Sequence, residues 1–439
     1  MSTPPDAGTP GVDPRTARRR YATACALFWL PVGLTIAPLL LLFTERGATL
    51  PTVAALFAVH SLTTVALELP TGGLSDVIGR RGVLTAAGVL NAAAFTLLAL
   101  GAHTWVLATG MALMGAGRAL SSGPAEAWYV DAVQARQGPG AELRTGLARG
   151  SAAGSAALAV GTLLGGLLPW LLAGPAAAFS PVLPLSVPPL LGALAALLYA
   201  GYALLALREA PRAAVSPSAV LRGVPAIVVD GLRLGVCGSL VRRVLLTSAA
   251  IGGALAAVEL LTPGRVAVLT GTVESGAALF AGLACAGYAC SALGNQLAPR
   301  VARLTGGSAR AVRAALAVGG GGLLLLGATA GSSGPPGWAL GAVGYGLLYL
   351  GLGAAGPNQN DLLHRVVPSS RRATALSVQS LALQLAGALV GLVVAPLAWA
   401  PLPWWVAAAP LLVVALLWRS GAATRTGYDI RPRVRTPSP

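Results

Sequence analysis

The sequence predicts an all-α integral membrane protein of twelve transmembrane helices in two six-helix bundles, and three observations carry that prediction. Of 439 residues, 55% are hydrophobic and 10% charged, with a mean hydropathy of +0.73, a balance that no water-soluble globule of this size needs. Apolar runs of about 20 residues, enough to cross a ~30 Å hydrocarbon core as helix, recur along the chain. The arginines then fall almost entirely on one side of the topology that those runs imply.

In order, the runs lie near 21–43, 51–72, 83–101, 104–130, 146–172 and 184–207, then 243–262, 271–298, 311–330, 337–361, 373–398 and 401–419. They are continuous and rich in Leu, Ala, Val and Gly, whereas a β-barrel would show segments of about 10 residues with alternating polarity. Residues 1–20 are Pro-rich and polar and read as a cytoplasmic tail, with no cleavable signal peptide apparent. Residues 21–207 form the first bundle, 208–242 a cytoplasmic linker and 243–419 the second bundle. Residues 420–439 form a polar, disordered cytoplasmic tail. Within the linker, Val220, Leu221, Val224, Ile227, Val228, Leu232 and Leu234 alternate with Arg222, Asp230 and Arg233, a pattern suited to an amphipathic helix on the inner membrane surface.

The net charge of +16 comes from thirty basic residues, all of them Arg. With the N-terminus inside, the outer loops carry only Arg46 and Arg265, and all the others but Arg118, from Arg15 to the tail, fall inside or at inner helix ends. This is the positive-inside pattern, so the charge records topology and attraction to an anionic leaflet; no nucleic-acid partner is expected. Arg without Lys, beside much Ala and Gly, also fits the codon usage of a GC-rich bacterial genome. The expected location is the cell (inner) membrane, multi-pass, with both termini cytoplasmic.

Equal halves suggest duplication. Gly123 and Pro124 lead past Asp131 to Arg144, and Gly356 and Pro357 lead past Asp361 to Arg371 and Arg372. In each case a Gly-Pro at the end of a span opens a polar loop whose Arg begins the next span.

Between spans two and three runs Glu68, Leu69, Pro70, Thr71, Gly72, Gly73, Leu74, Ser75, Asp76, Val77, Ile78, Gly79, Arg80, Arg81. Gly72, Gly73 and Gly79 allow positive φ in a tight turn, and Asp76 with the two arginines offers an ion-pair latch at the inner surface. Gly73, Leu74, Asp76, Gly79, Arg80 and Arg81 resemble the signature loop of the major facilitator superfamily, although Val77 replaces a frequent basic residue. Glu68, Pro70, Thr71 and Gly72 further resemble the drug and proton antiporters of that superfamily. The resemblance implies that Asp76 faces the N-terminus of the eleventh helix and that a loop Arg pairs with the acid ending the fourth, here Asp131.

Span four carries Arg118, Glu126 and Asp131. Counted from Trp105, Arg118 lies about 20 Å down the helix, where an unpartnered charge costs at least ~2.5–3.5 kcal/mol, so it should face the bundle interior. It resembles the fourth-helix Arg of proton antiporters, with Gly123 one residue later than usual. Glu126, eight residues on, would share its face on a continuous helix, and Glu68 should reach a comparable depth. Glu68 and Glu126 are the expected proton carriers and Arg118 the tuning charge; a static ion pair is the alternative. In the second half, Glu259 and Glu274 lie near the outer ends of their spans and could gate a cationic substrate or simply be hydrated. Asn358, Gln359, Asn360 and Asp361, with Gln379 and Gln384, either line a cavity or glue helices together.

The fifth span departs from drug antiporters. It has the glycine face Gly150, Gly154, Gly161, Gly165 and Gly166, with Pro169 near its outer end, instead of an internal Gly-Pro. Cys25, Cys237, Cys285 and Cys290 form no C-x-x-C pair and read as small buried residues. His60, His103 and His364 show no metal spacing, and no G-x-x-x-x-G-K-[ST] is present, so no metal, cofactor or ATP-driven motor is expected and the chain reads as no enzyme. The expected function is secondary active transport by alternating access, exporting a small organic molecule against protons as a monomer in the lipid bilayer. Uptake or metabolite exchange by the same fold, or a non-transporting receptor or scaffold, are the alternatives.

Overall fold

The computed structural model describes residues 13–138, 140–174, 182–209, 239–332, 334–367 and 372–418. Among these there are fourteen α-helices and no strands. They are α1 (Pro14–Ile36), α2 (Leu39–Glu45), α3 (Leu50–Ile78), α4 (Arg80–Leu100), α5 (Thr104–Ser121), α6 (Pro124–Gln137), α7 (Arg144–Leu172) and α8 (Val187–Ala206), then α9 (Ser239–Thr270), α10 (Val273–Thr305), α11 (Ser308–Ala328), α12 (Pro335–Val366), α13 (Arg372–Val394) and α14 (Leu402–Leu417). The linker helix expected between Val220 and Leu234, and the tail, lie outside the described residues.

These helices make twelve passes, because α1 with α2, and α5 with α6, are each one pass broken in two. Ten passes are long and apolar enough to span by themselves; α14 is apolar but shorter, and the α5/α6 pass is interrupted. The first pass starts where the Asp13 carboxylate accepts the N–H groups of Arg15 and Thr16 at 3.1 and 3.2 Å, a side-chain cap with Pro14 at the first helical position, where its missing N–H costs nothing.

The pass boundaries differ from the apolar runs for a physical reason. Helices α9, α10 and α12 are 32, 33 and 32 residues long, longer than the hydrocarbon requires, since polar residues continue a helix beyond the membrane. The two Gly-Pro pairs also part ways. Gly123 takes φ +94 and Pro124 starts α6, whereas Gly356 and Pro357 lie inside an unbroken α12. The expected exit into a loop is thus a break within the fourth pass in one half and continuous helix in the other.

Duplication is plain in the packing. The pairs α1·α7, α3·α5, α4·α5, α4·α8 and α1·α8 recur six passes later as α9·α13, α10·α12, α11·α12, α11·α14 and α9·α14. The halves meet along α3·α13 and α7·α10, themselves related by the same repeat. Close approach depends on glycine: a Cβ on Gly161 would overlap the Leu30 carbonyl, and one on Gly33 the Leu158 carbonyl, so α1 and α7 cross backbone to backbone.

The two arginines expected outside are not free surface charges. Arg46 donates from Nη1 to the carbonyls of Leu98 (2.9 Å) and Gly101 (2.7 Å), and from Nη2 to Ala99 O and to Ser186 Oγ (2.9 Å). Arg265 donates to the carbonyls of Leu326 and Thr329. Each guanidinium therefore satisfies the orphan carbonyls at the negative end of a helix, α4 in one half and α11 in the other. Arg46→Ala and Arg265→Ala are each expected to cost about 1–3 kcal/mol by leaving buried carbonyls unpaired, read as a fall in the melting temperature of the purified protein.

Candidate functional site

The signature stretch is more helical than expected. Helix α3 continues to Ile78, α4 begins at Arg80 and Gly79 alone separates them. Gly79 has φ +82, while Gly72 and Gly73 lie within the helix, where a glycine costs only about 1 kcal/mol. The side chain of Asp76, and residues 368–371 before the eleventh pass, lie outside the described set. Arg80 Nη1 meets Asp131 Oδ2 at 2.5 Å, the arginine side chain being 13% exposed and the aspartate 52%. Beside them the Glu209 carboxylate accepts the Arg81 N–H at 2.5 Å and rests against Gly79, capping α4. Sequence reasoning missed Glu209, although an acid directly after the sixth pass stands out among so many arginines.

The second half repeats the device. Ser308 Oγ, on the first residue of α11, donates to Asp361 Oδ2 at 2.8 Å, and Arg365 holds the same carboxylate at 3.0 Å. Asp361 thus belongs to this arginine-rich end and not to a cavity. Its neighbours are glue: Asn358 donates to the Ala298 and Ala354 carbonyls at 3.2 and 2.9 Å, and Gln359 to the Val244 carbonyl and Ser248 Oγ at 3.1 and 2.8 Å. Asn360 is partly buried, and Gln379 Oε1 is buried with no hydrogen-bond partner among the described residues.

Within the fourth pass, the break at Ser122–Gly123 cancels the helical phase that would place Glu126 on the face of Arg118. Arg118 ends α5 with its guanidinium 4.9 Å from the Trp29 ring centre, a cation–π contact. Its electrostatic neighbours are the Glu68 carboxylate and the His60 imidazole. Glu126, in the first turn of α6, is exposed and neighbours Tyr21 and Cys25. The structure therefore brings Glu68 and Arg118 together and leaves Glu126 apart. Glu68 Oε2 also accepts a hydrogen bond from Ser380 Oγ on α13 at 3.4 Å, so the carboxylate bridges the two halves.

Between the halves lies a cavity of about 300 Å³. Its polar lining comes from Thr35, His60, Ser61, Glu259 and Gln384, set among Phe57, Met111, Met114, Phe280 and aliphatic groups. Glu259 is accessible in that space. Its helix does not end there, since α9 runs on to Thr270, which places Glu259 about 16 Å from the helix end at 1.5 Å per residue. Glu274, in contrast, sits in the first turn of α10, where the helix dipole favours an acid, and does not line the cavity. His60 was missed because a single mid-span histidine has no sequence partner; its depth, ten residues into α3, is the only signal.

A family model of the Major Facilitator Superfamily matches residues 22–391, and the chain belongs to that superfamily. Solved structures agree on the fold. The nucleoside transporter NupG superposes with a TM-score of 0.70 at 12% identity, covering 92% of this chain and 98% of that one. A bacterial homologue of the iron transporter ferroportin, inward-facing, gives 0.68 at 14% identity, covering 92% and 97%. A bacterial homolog of the human lysosomal transporter Spinster gives 0.69 at 13% identity, covering 93% and 97%. No curated protein matches the chain in sequence. The protein is a multi-pass membrane transporter and not an enzyme.

Proposed function

We propose that this transporter exports a small organic molecule in exchange for protons by alternating access, from a cell membrane in which the arginine-rich side faces the cytoplasm. The observation that carries the reading is the place of Glu68. One carboxylate touches Ser380 across the interface of the halves and senses Arg118 in its own half. Gaining a proton removes its attraction to Arg118 and weakens the bond to Ser380 together, so protonation and rocking are coupled through a single group. Glu126, on the far side of the α5/α6 break, is not assigned a part.

Arg80 with Asp131, and Asp361 with Ser308 and Arg365, act as paired latches at the cytoplasmic ends of the two halves. Arg80→Ala and Asp131→Asn are expected to slow transport several-fold without reducing the amount of protein in the membrane, and the swapped pair Arg80→Asp with Asp131→Arg to recover part of the rate. Initial rates normalised to membrane protein check this.

Everted vesicles from overproducing cells test the function as a whole. Addition of a transported compound should dissipate an imposed pH gradient, with toxic compounds first chosen by comparing the growth of cells lacking and overproducing the protein. A gradient that no compound from that panel collapses would remove proton coupling, and accumulation in the opposite direction would make the protein an importer.

A further inference from the structure

Glu259 is a carboxylate with no counter-charge. Among the described residues it has neither a hydrogen-bond donor nor an ion-pair partner, and its electrostatic neighbours are the uncharged hydroxyls of Tyr288, Tyr345 and Tyr349. Even its backbone carbonyl is deprived, because Pro263 lies four residues on inside α9 and has no N–H to give it. No arginine is part of the cavity wall, and Arg118 of the opposite half is stacked on Trp29. His60 on the opposite half is the only other titratable group in the lining.

A carboxylate facing a mainly apolar cavity between membrane-spanning helices is expensive and, where it persists, marks a pathway or a partner. The rest of the wall says what sort of partner. Phe57 and Phe280 present rings, Met111 and Met114 polarizable sulfur, and Leu39, Leu255 and Leu383 aliphatic surface. Aromatic faces attract cations, and thioethers pack against irregular apolar shapes. The volume of about 300 Å³ is at the small end of ligand pockets.

We propose that this cavity recognises an organic monocation with a compact apolar body, its positive centre paired with Glu259 and its body held between Phe57, Phe280 and the methionines. The proposal rests on the reading of the cavity as the transport site, and it assigns recognition to a carboxylate of the second half while Glu68 of the first half handles the proton. An organic anion would meet Glu259 with the wrong sign and find no cation in the wall to offset it.

The test uses the full-length protein in lipid nanodiscs and two water-soluble probes of similar size and opposite sign, benzyltrimethylammonium and phenylmethanesulfonate, with binding measured by equilibrium dialysis against empty nanodiscs. The cation should bind at least tenfold more tightly than the anion. Glu259→Gln should lower cation affinity at least tenfold with an unchanged melting temperature, and Glu259→Asp should retain most of it. Equal affinity for both ions, no binding of the cation, or cation binding indifferent to Glu259→Gln would each overturn the proposal. Vesicles separate the two readings. A cation bound through Glu259 that never moves a pH gradient leaves the site standing and removes proton exchange; a gradient collapsed only by neutral or anionic compounds does the reverse.

Discussion

Glu68→Gln is expected to abolish proton-driven transport while sparing substrate exchange across the membrane. Glutamine keeps the length of the side chain and can still meet Ser380 Oγ, which lies 3.4 Å from Glu68 Oε2 in the wild type, but it cannot bind or release a proton. Glu68 is also a neighbouring charge of Arg118, so the substitution leaves a guanidinium in the hydrocarbon with, among the described residues, only the Trp29 ring for compensation. A hydrogen bond to a charged group contributes about 1.5–3 kcal/mol, and each ~1.4 kcal/mol is a factor of ten in an equilibrium, so a shift of ten- to a hundredfold between open and closed forms is the scale to expect. Collapse of a pH gradient by substrate in everted vesicles should disappear, and counterflow of substrate between vesicles should persist. Glu68→Asp, with a shorter arm, should show partial coupling. Coupling of wild-type size in Glu68→Gln would move the proton site elsewhere.

The cavity and the proton site were legible in the sequence to different degrees, and the differences have physical causes. Burial cost singles out Arg118, because a charge far from both membrane surfaces needs a partner whatever the local conformation, and the resemblance to antiporters, with a comparable depth, adds Glu68. Glu126 was joined to them by helical phase, and phase holds only along an unbroken helix; one glycine at φ +94 ended it. Apolarity stops at Leu261 and Thr262, before Pro263, Gly264 and Arg265, and this sets the expected end of the span close to Glu259. The helix continues through Pro263 to Thr270, and Arg265 is tolerated there because the carbonyls ending α11 receive it. That partner is distant in sequence and invisible to any window. The twelve passes, in contrast, follow from composition, since each must bury its backbone polar groups within itself to cross lipid.

Gly166→Leu is expected to stop transport by wedging the halves apart, and its effect should be visible at a natural cysteine. Gly166 lies near the end of α7 that faces away from the arginine-rich side, where a Cβ would overlap the Ala277 carbonyl and the Ala281 methyl of α10. Ala281 belongs to a small apolar cluster with Ala37 and Phe280, so α1, α7 and α10 converge there and close the two halves on that side. Backbone on one side of the contact cannot rotate away, and overpacking of this kind costs about 1–3 kcal/mol or more. The cost falls only on conformations in which α7 and α10 touch, so each half retains its own fold while the open form is favoured. Cys285 reports the change, since its thiol donates to the Ala159 carbonyl at 3.5 Å across the same contact. With Cys25, Cys237 and Cys290 replaced by alanine, labelling of Cys285 by a membrane-impermeant maleimide applied from the arginine-poor side should rise several-fold in Gly166→Leu, and Gly166→Ala should lie between it and the wild type. Unchanged labelling together with normal transport would show that α7 and α10 do not separate during the cycle, and the closing contact would then have to be sought along α3 and α13.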